Sequence, residues 1–88
     1  MTAAAVTNWR AEAEQALEAK RYSQAHALCL RVLKSDHSNA HAYYLLSVLA
    51  AEHGNYVKAV DVVETALRFD SGNPKYHAHL GKCLSAIN

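Results

Sequence analysis

The sequence from Ala40 to Asn73 is AHAYYLLSVLAAEHGNYVKAVDVVETALRFDSGN, and it has the pattern of two amphipathic helices joined by a tight turn. Gly54-Asn55 interrupts the helical pattern, because glycine tolerates backbone angles that other residues avoid. Asp70 to Asn73 ends the second helix. The positions that recur at helical spacing are Tyr43, Leu46, Leu49, Ala50 and His53 in the first helix, and Tyr56, Ala59, Val60, Val63, Ala66 and Leu67 in the second.

The same plan occurs on both sides of this stretch, shifted by 34 positions. Trp9, Tyr43 and His77 fall in step. Further pairs at the same shift are Tyr22 and Tyr56, Ala25 and Ala59, Leu33 and Leu67, Asp36 and Asp70, and Asn39 and Asn73. Self-similarity at a fixed period of this size is typical of a helical repeat array.

This repeated pattern resembles the tetratricopeptide repeat, whose signature is W-x2-L-G-x2-Y followed by A-x3-F and a closing proline. Glu12 departs from the signature leucine, and His37 and Ser71 stand where the proline would be. The matching segments are Trp9 to Ala16 with Ala25 to Cys29, Tyr43 to Ala50 with Ala59 to Val63, and His77 to Leu84. The resemblance implies an all-α fold, a right-handed superhelical array of five helices that forms about two and a half repeats.

We therefore predict one domain over 1–88, with repeat one at 6–39, repeat two at 40–73 and a terminal capping helix at 74–88. Asn39, Asn55 and Asn73 are predicted to cap the third, fourth and fifth helices, because an asparagine side chain accepts from a free amide of the first turn. The first helix is predicted from Thr2 to Ala19, capped by Thr2 or Thr7, and the second from about Ser23 to Ser35.

Small residues stand where the predicted helices cross closely, at Ala13, Ala25, Ser47, Ala59 and Gly81. His77 takes the place of an aromatic residue in the other repeats, so we expect it to pack between helices. The predicted inward stripe of the fifth helix is Tyr76, Leu80, Cys83, Leu84 and Ile87.

Composition narrows the class of protein. The chain has 88 residues, is 51% hydrophobic and carries a net charge of +1, which provides no broad basic surface for nucleic acid. No apolar run approaches the ~20 residues of a membrane span. Met1 to Val6 lacks the features of a secretory signal, so we predict a cytoplasmic protein without membrane insertion. Cys29 and Cys83 lie on apolar helix faces and are interpreted as buried thiols, with a disulfide or a reactive thiol as the alternative.

The resemblance also implies a concave groove, lined by the first helix of each repeat, that binds a peptide. On this surface the groove residues are Arg10, Glu14, His41, Tyr44, Leu45, Val48, Lys75, His79 and Lys82. Tyr44, Leu45 and Val48 make the third helix apolar nearly all round. Either the first and fifth helices shield these three residues, or they form the floor for an apolar side chain of a ligand. Lys75, His79 and Lys82 are either a solvated row or a site that attracts acidic groups.

One subtype of the family clamps a C-terminal carboxylate with lysine, asparagine and arginine side chains. The corresponding positions here hold Arg10, Glu14, Leu45, Lys75 and His79. Only Lys75 matches in kind and place, while Glu14 would repel a carboxylate and Leu45 cannot donate a hydrogen bond. This form of recognition is therefore disfavoured.

Motifs for catalysis or metal binding are absent from the sequence. There is no G-x-S-x-G, no phosphate-binding Gly-rich loop, no HExxH and no Cys/His spacing of a zinc site. We therefore expect no enzymatic activity, no cofactor and no metal.

The predicted function is a non-catalytic scaffold that binds a peptide segment of a partner protein. Two alternatives stay open. The first is an N-terminal regulatory or substrate-positioning segment of a larger enzyme, such as a transferase. The second is a module that associates weakly with itself.

Overall fold

The computed structural model describes residues 3–88 of the chain, with side chains from Asn8 onward. These residues form five α-helices and no strand. The helices are α1 (Ala3–Glu18), α2 (Tyr22–Ser35), α3 (Ala40–Glu52), α4 (Tyr56–Phe69) and α5 (Pro74–Ile87). The predicted all-α array of five helices is confirmed.

Helix α3 is the centre of the array. Each helix packs against its neighbour in the chain, and both α1 and α5 also reach α3. α3 is therefore in contact with all four other helices. This arrangement explains why the helix is apolar on nearly every side, since each neighbouring helix covers part of its surface.

Side-chain caps begin three of the helices as predicted. Asn39 accepts from the amide of Ala42, and Asn55 accepts from the amide of Lys58. Asn73 accepts from the amides of Lys75 and Tyr76. Of the two residues predicted to cap α1, Thr2 lies outside the described residues. Thr7 lies within α1 and so does not precede it.

The repeat is visible in individual contacts as well as in the helix order. Tyr43 donates through its hydroxyl to the carbonyl of His37, over 3.1 Å. At the equivalent position, the ring Nε2–H of His77 donates to the carbonyl of Ser71, over 2.6 Å. His77 is exposed, so the prediction that it packs between helices is wrong. Both side chains instead fasten a helix to the connector that precedes it.

The core divides into two clusters that meet at α3. The first contains Trp9, Ala13, Cys29, Val32, Ala42 and Leu45, and the second contains Val63, Ala66 and Tyr76. The predicted stripe of α3 describes only part of its buried surface. Tyr43, Leu46, Leu49 and Ala50 are half-buried, and His53 is exposed. The fully buried positions of α3 are His41, Ala42, Leu45 and Ser47.

Four of the five small residues at predicted crossings are buried: Ala13, Ala25, Ser47 and Ala59. Gly81 is exposed instead, and a Cβ atom built on it would meet no atom within 4 Å. Leu84 and Ile87 are 43% and 46% exposed, which contradicts their place in the predicted inward stripe. This face of α5 has no helix packed on it within residues 3–88. The equivalent face of α3 is covered by α4.

Candidate functional site

A cleft of about 450 Å³ lies between α3 and α5, with one residue of α4 at its edge. We call it the α3/α5 cleft. It is lined by Tyr44, Val48, Ala51 and Glu52 of α3, Tyr56 of α4, and His79, Lys82, Cys83 and Ala86 of α5. Four of the predicted groove residues therefore come together here, namely Tyr44, Val48, His79 and Lys82.

A second group of predicted residues surrounds His41, where α1, α3 and α5 approach one another. His41 is 7% exposed, and its Nδ1 lies 3.1 Å from the hydroxyl of Tyr76. Its Nε2 lies 3.7 Å from Oε2 of Glu14 and has no hydrogen-bond partner among the described residues. Burial lowers the pKa of His41, and the charges of Arg10 and Lys75 lower it further, while Glu14 acts in the opposite direction. We call Glu14, His41 and Tyr76 the His41 triad.

Tyr44 connects the two groups. Its ring stacks on Tyr76 with the centroids 4.9 Å apart, and it meets the rings of His41 and His79 at 5.4 Å each. Nζ of Lys75 lies 5.7 Å from the centre of the Tyr44 ring, within the range of a cation–π interaction. Burial raises the pKa of Tyr44, and the charge of Glu14 adds to the effect. The phenol is therefore neutral at physiological pH.

Leu45 is not available to a ligand. It is 3% exposed and belongs to the core cluster with Trp9 and Cys29. Its predicted role in the groove is wrong. It is shielded, as in the alternative interpretation, but by α1 and α2 and not by α1 and α5. Tyr44 and Val48 are half-buried and line the α3/α5 cleft, so they can form the floor for an apolar group.

His79 is held by two buried neighbours. Its Nε2 lies 3.0 Å from the hydroxyl oxygen of Ser47 and 3.5 Å from the sulfur of Cys83. Burial lowers the pKa of His79; the hydrogen bond with Ser47 raises it, and the charge of Lys82 lowers it. Burial raises the pKa of Cys83, in spite of the nearby Lys82. Below that pKa the thiol is protonated and is not a nucleophile.

The resemblance also places Ala51 and Glu52 on the groove surface, whereas sequence reasoning missed Tyr56, Cys83 and Ala86 as residues of the cleft. Tyr56 was assigned to the apolar stripe of its helix, yet it is 37% exposed. Cys83 and Ala86 follow His79 at helical spacing, and this was the signal that could have found them. Cys83 was correctly predicted to be a buried free thiol, as was Cys29.

A more apolar groove of about 420 Å³ was also missed. It lies between α2 and α4, on a floor of α3 residues, and includes Leu30, which is 48% exposed. Its other lining residues are His26, Leu46, Leu49, Ala50, His53, Asn55, Lys58 and Val62. It contains none of the predicted groove residues.

No three His, Cys, Asp or Glu side chains in residues 3–88 are grouped so that they could share a metal ion. None of the five helices has both the length and the apolar character needed to cross a membrane.

Comparison with protein families agrees with the repeated contacts. A family model described as tetratricopeptide repeat matches residues 10–74, which is well over half of the 88 residues. No curated protein matches the chain.

Proposed function

The chain belongs to the tetratricopeptide repeat family, and from this membership we propose that it is a non-catalytic module that binds a peptide segment of a partner protein in the α3/α5 cleft. Repeats of this family generally mediate interactions between proteins. The observation that carries the proposal is the cleft itself, which combines an accessible apolar floor with the basic side chain of Lys82 along one edge.

The floor suits an apolar side chain of the ligand. Tyr44, Val48 and Ala51 follow one another along α3, and each is half-buried. An apolar group placed on them would remove part of this surface from water, which is the main favourable contribution in most protein associations. The aromatic ring of Tyr44 is already fixed by Tyr76, so it loses little freedom on binding.

The charges favour an acidic segment. α5 contains two lysines, Lys75 and Lys82, and no aspartate or glutamate. Lys82 lines the cleft, and Lys75 lies over the ring of Tyr44. Glu52 is the acidic residue of the lining and comes from α3, on the other side. An acidic side chain would therefore face α5 and fix the direction of the bound segment.

The affinity should be modest, because the cleft is small. Small interfaces leave little free energy after the entropic cost of association, and we expect dissociation constants on the order of micromolar. Cys83 and His79 are the two side chains that most resemble a catalytic dyad, and their surroundings support a non-catalytic function. The thiol of Cys83 is 1% exposed and has a raised pKa, and Nε2 of His79 contacts Ser47.

The test is a substitution on the floor of the cleft. Peptides selected from a random library on the intact wild-type protein should bind Val48→Lys at least about tenfold more weakly, because the charge would replace an apolar contact. Val57→Lys is the matched control, since Val57 is 70% exposed on α4 and does not line the α3/α5 cleft. Equal dissociation constants for Val48→Lys and wild type, measured by calorimetry, would contradict the proposed site.

A further inference from the structure

Ser47 controls the chemistry of His79 from within the core. Ser47 has no exposed surface, and its hydroxyl donates to the carbonyl of Ala59. A hydroxyl has one proton to donate and two lone pairs to accept with. Since that proton is used on Ala59, the oxygen of Ser47 can act toward His79 only as an acceptor.

The proton of the His79 ring can therefore be assigned to one of its two nitrogens. Nε2 lies 3.0 Å from the hydroxyl oxygen of Ser47, and two acceptors at this distance would repel each other. Nε2 must carry the proton and donate it to Ser47. Cys83, whose sulfur is 3.5 Å from the same nitrogen, could donate only to an unprotonated Nε2. In that arrangement the lone pairs of Nε2 and of the Ser47 oxygen would face and repel each other.

In a neutral imidazole the remaining nitrogen is an acceptor. Nδ1 of His79 makes no hydrogen bond with the described residues, and it is not among their buried polar atoms without a partner. Nδ1 therefore keeps some accessible surface, on a side chain that lines the α3/α5 cleft.

We propose that Nδ1 of His79 is the fixed hydrogen-bond acceptor of the α3/α5 cleft, and that it takes an uncharged N–H donor from the bound peptide, such as a backbone amide. The inference rests on the proposed function. It extends that function by assigning different ligand groups to neighbouring side chains of α5. His79 accepts from a hydrogen-bond donor, and the two lysines bind acidic groups.

The surrounding charges explain why the donor is uncharged. Lys82 lines the cleft beside His79, and Lys75 lies one turn before His79 on the same helix. A lysine or arginine of the ligand at this point would be repelled by both. A carboxylate of the ligand has no proton to donate at neutral pH and would be directed to the lysines. A backbone amide beside an aspartate or glutamate satisfies both requirements.

The first experiment needs no ligand. The ¹⁵N chemical shifts of the His79 ring, measured by NMR in the free intact protein above the pKa of His79, distinguish a protonated ring nitrogen from an unprotonated one. We expect Nε2 to be protonated and Nδ1 unprotonated. Ser47→Ala removes the acceptor and should give a mixture of the two tautomers. A wild-type ring with Nδ1 protonated would overturn the inference.

The second experiment measures binding, with a peptide selected from a random library on the wild-type protein as the probe. His79→Gln places an amide near the position of Nε2 and leaves no acceptor at Nδ1. His79→Asn is one methylene shorter and places its amide oxygen near Nδ1. We expect Gln to weaken binding by about three- to tenfold and Asn to retain most of the affinity.

Methylation of single backbone nitrogens of that peptide identifies the donor. Methylation at one position should weaken binding to the wild-type protein. The same methylation should cause no further loss of affinity for His79→Gln. If the peptide binds His79→Gln as well as wild type, the inference is wrong while the proposed function stands. If no peptide that binds the cleft can be selected, both fail together.

Discussion

Small side chains set the distance between α3 and α4. Ala59 has no exposed surface, and its carbonyl accepts the hydroxyl of Ser47 across the helix interface. A close crossing of this kind brings backbone atoms near to each other and leaves no room for a large side chain. The stability of the array should therefore be most sensitive to added volume at Ala59.

We predict that Ala59→Phe destabilises or unfolds the domain. Overpacking a core costs about 1–3 kcal/mol and sometimes more. Since one kcal/mol shifts the melting temperature of a domain of this size by about 4–8 °C, we expect a fall of about 10 °C or more. Thermal unfolding followed by circular dichroism measures it. Val57→Phe is the control, because Val57 is 70% exposed on the same helix. A melting temperature of Ala59→Phe close to wild type would show that the close crossing is not at this residue.

For single residues, the sequence showed which side chains are apolar, but it could not predict which neighbouring helix each of them packs against. Leu45 lies off the periodic stripe of α3, and the resemblance to the family placed it in the groove. It is buried because α1 and α2 cover that side of α3. Periodicity identifies one preferred face of a helix, and it cannot identify the faces of a helix that has neighbours all round.

The turns between the paired helices show how closely the two repeats agree. Lys20 and Gly54 both have positive φ, at 62° and 77°. The residues that follow, Arg21 and Asn55, have nearly the same backbone angles, with φ −90° and ψ 69° or 71°. Their amides donate to equivalent carbonyls, Arg21 to that of Ala16 and Asn55 to that of Ala50. The two turns differ mainly in their side chains: Asn55 caps α4, whereas α2 has no side-chain cap.

We predict that Arg21→Asn stabilises the domain. The new side chain would reach the amide of Gln24 in the way that Asn55 reaches the amide of Lys58. A favourable N-cap residue is worth about 0.5–2 kcal/mol, so the melting temperature should rise by a few degrees. Asn55→Arg is the reverse control and should lower it by a similar amount. If Arg21→Asn left the unfolding midpoint in urea unchanged or lowered it, the two turns would not be equivalent.

Helix positions were predicted well because their signals are local. A cap, a glycine or a proline acts within one turn of the chain, so its effect can be read from neighbouring residues. The free face of α5 could not be found in this way. Leu84 and Ile87 have the spacing of core residues, and their exposure depends on whether another helix packs there. That information is not contained in the periodicity of α5 itself.

For the whole molecule, the predicted groove separates into two regions. Arg10, Glu14 and Lys75 surround the buried imidazole of His41 between three helices, while the remaining accessible residues line the α3/α5 cleft. The sequence placed them in one groove because they occupy corresponding faces of α1, α3 and α5. Their separation follows from the packing of Tyr44 and Tyr76, whose stacked rings occupy the space between α3 and α5.

The His41 triad couples the three helices and makes their stability depend on pH. Tyr76 of α5 can donate to Nδ1 of His41, and Nε2–H then points toward Glu14 of α1. The groups around His41 are Trp9, Arg10 and Glu14 from α1, Tyr44 from α3, and Lys75 and Tyr76 from α5. Burial and the two cations outweigh Glu14, so the pKa of His41 in the fold is below its ordinary value of 6.5.

The direction of the pH effect follows from this lowered pKa. Below about pH 6.5 the unfolded chain binds a proton at His41 more readily than the folded protein does, and this favours unfolding. The contribution to stability is complete above pH 6.5 and is lost as the pH falls through the pKa of the folded state. His79 acts in the same direction, because its pKa is also lowered.

We therefore predict that urea unfolding gives a smaller free energy of unfolding at about pH 5.5 than at about pH 7.5. His41→Asn keeps an acceptor near Nδ1 for the hydroxyl of Tyr76 but cannot be protonated, so the decrease should become smaller. His26→Asn, on the exposed surface of α2, controls for the removal of one histidine. If His41→Asn lost as much stability between the two pH values as wild type does, protonation of His41 could not be what weakens the contact between α1, α3 and α5.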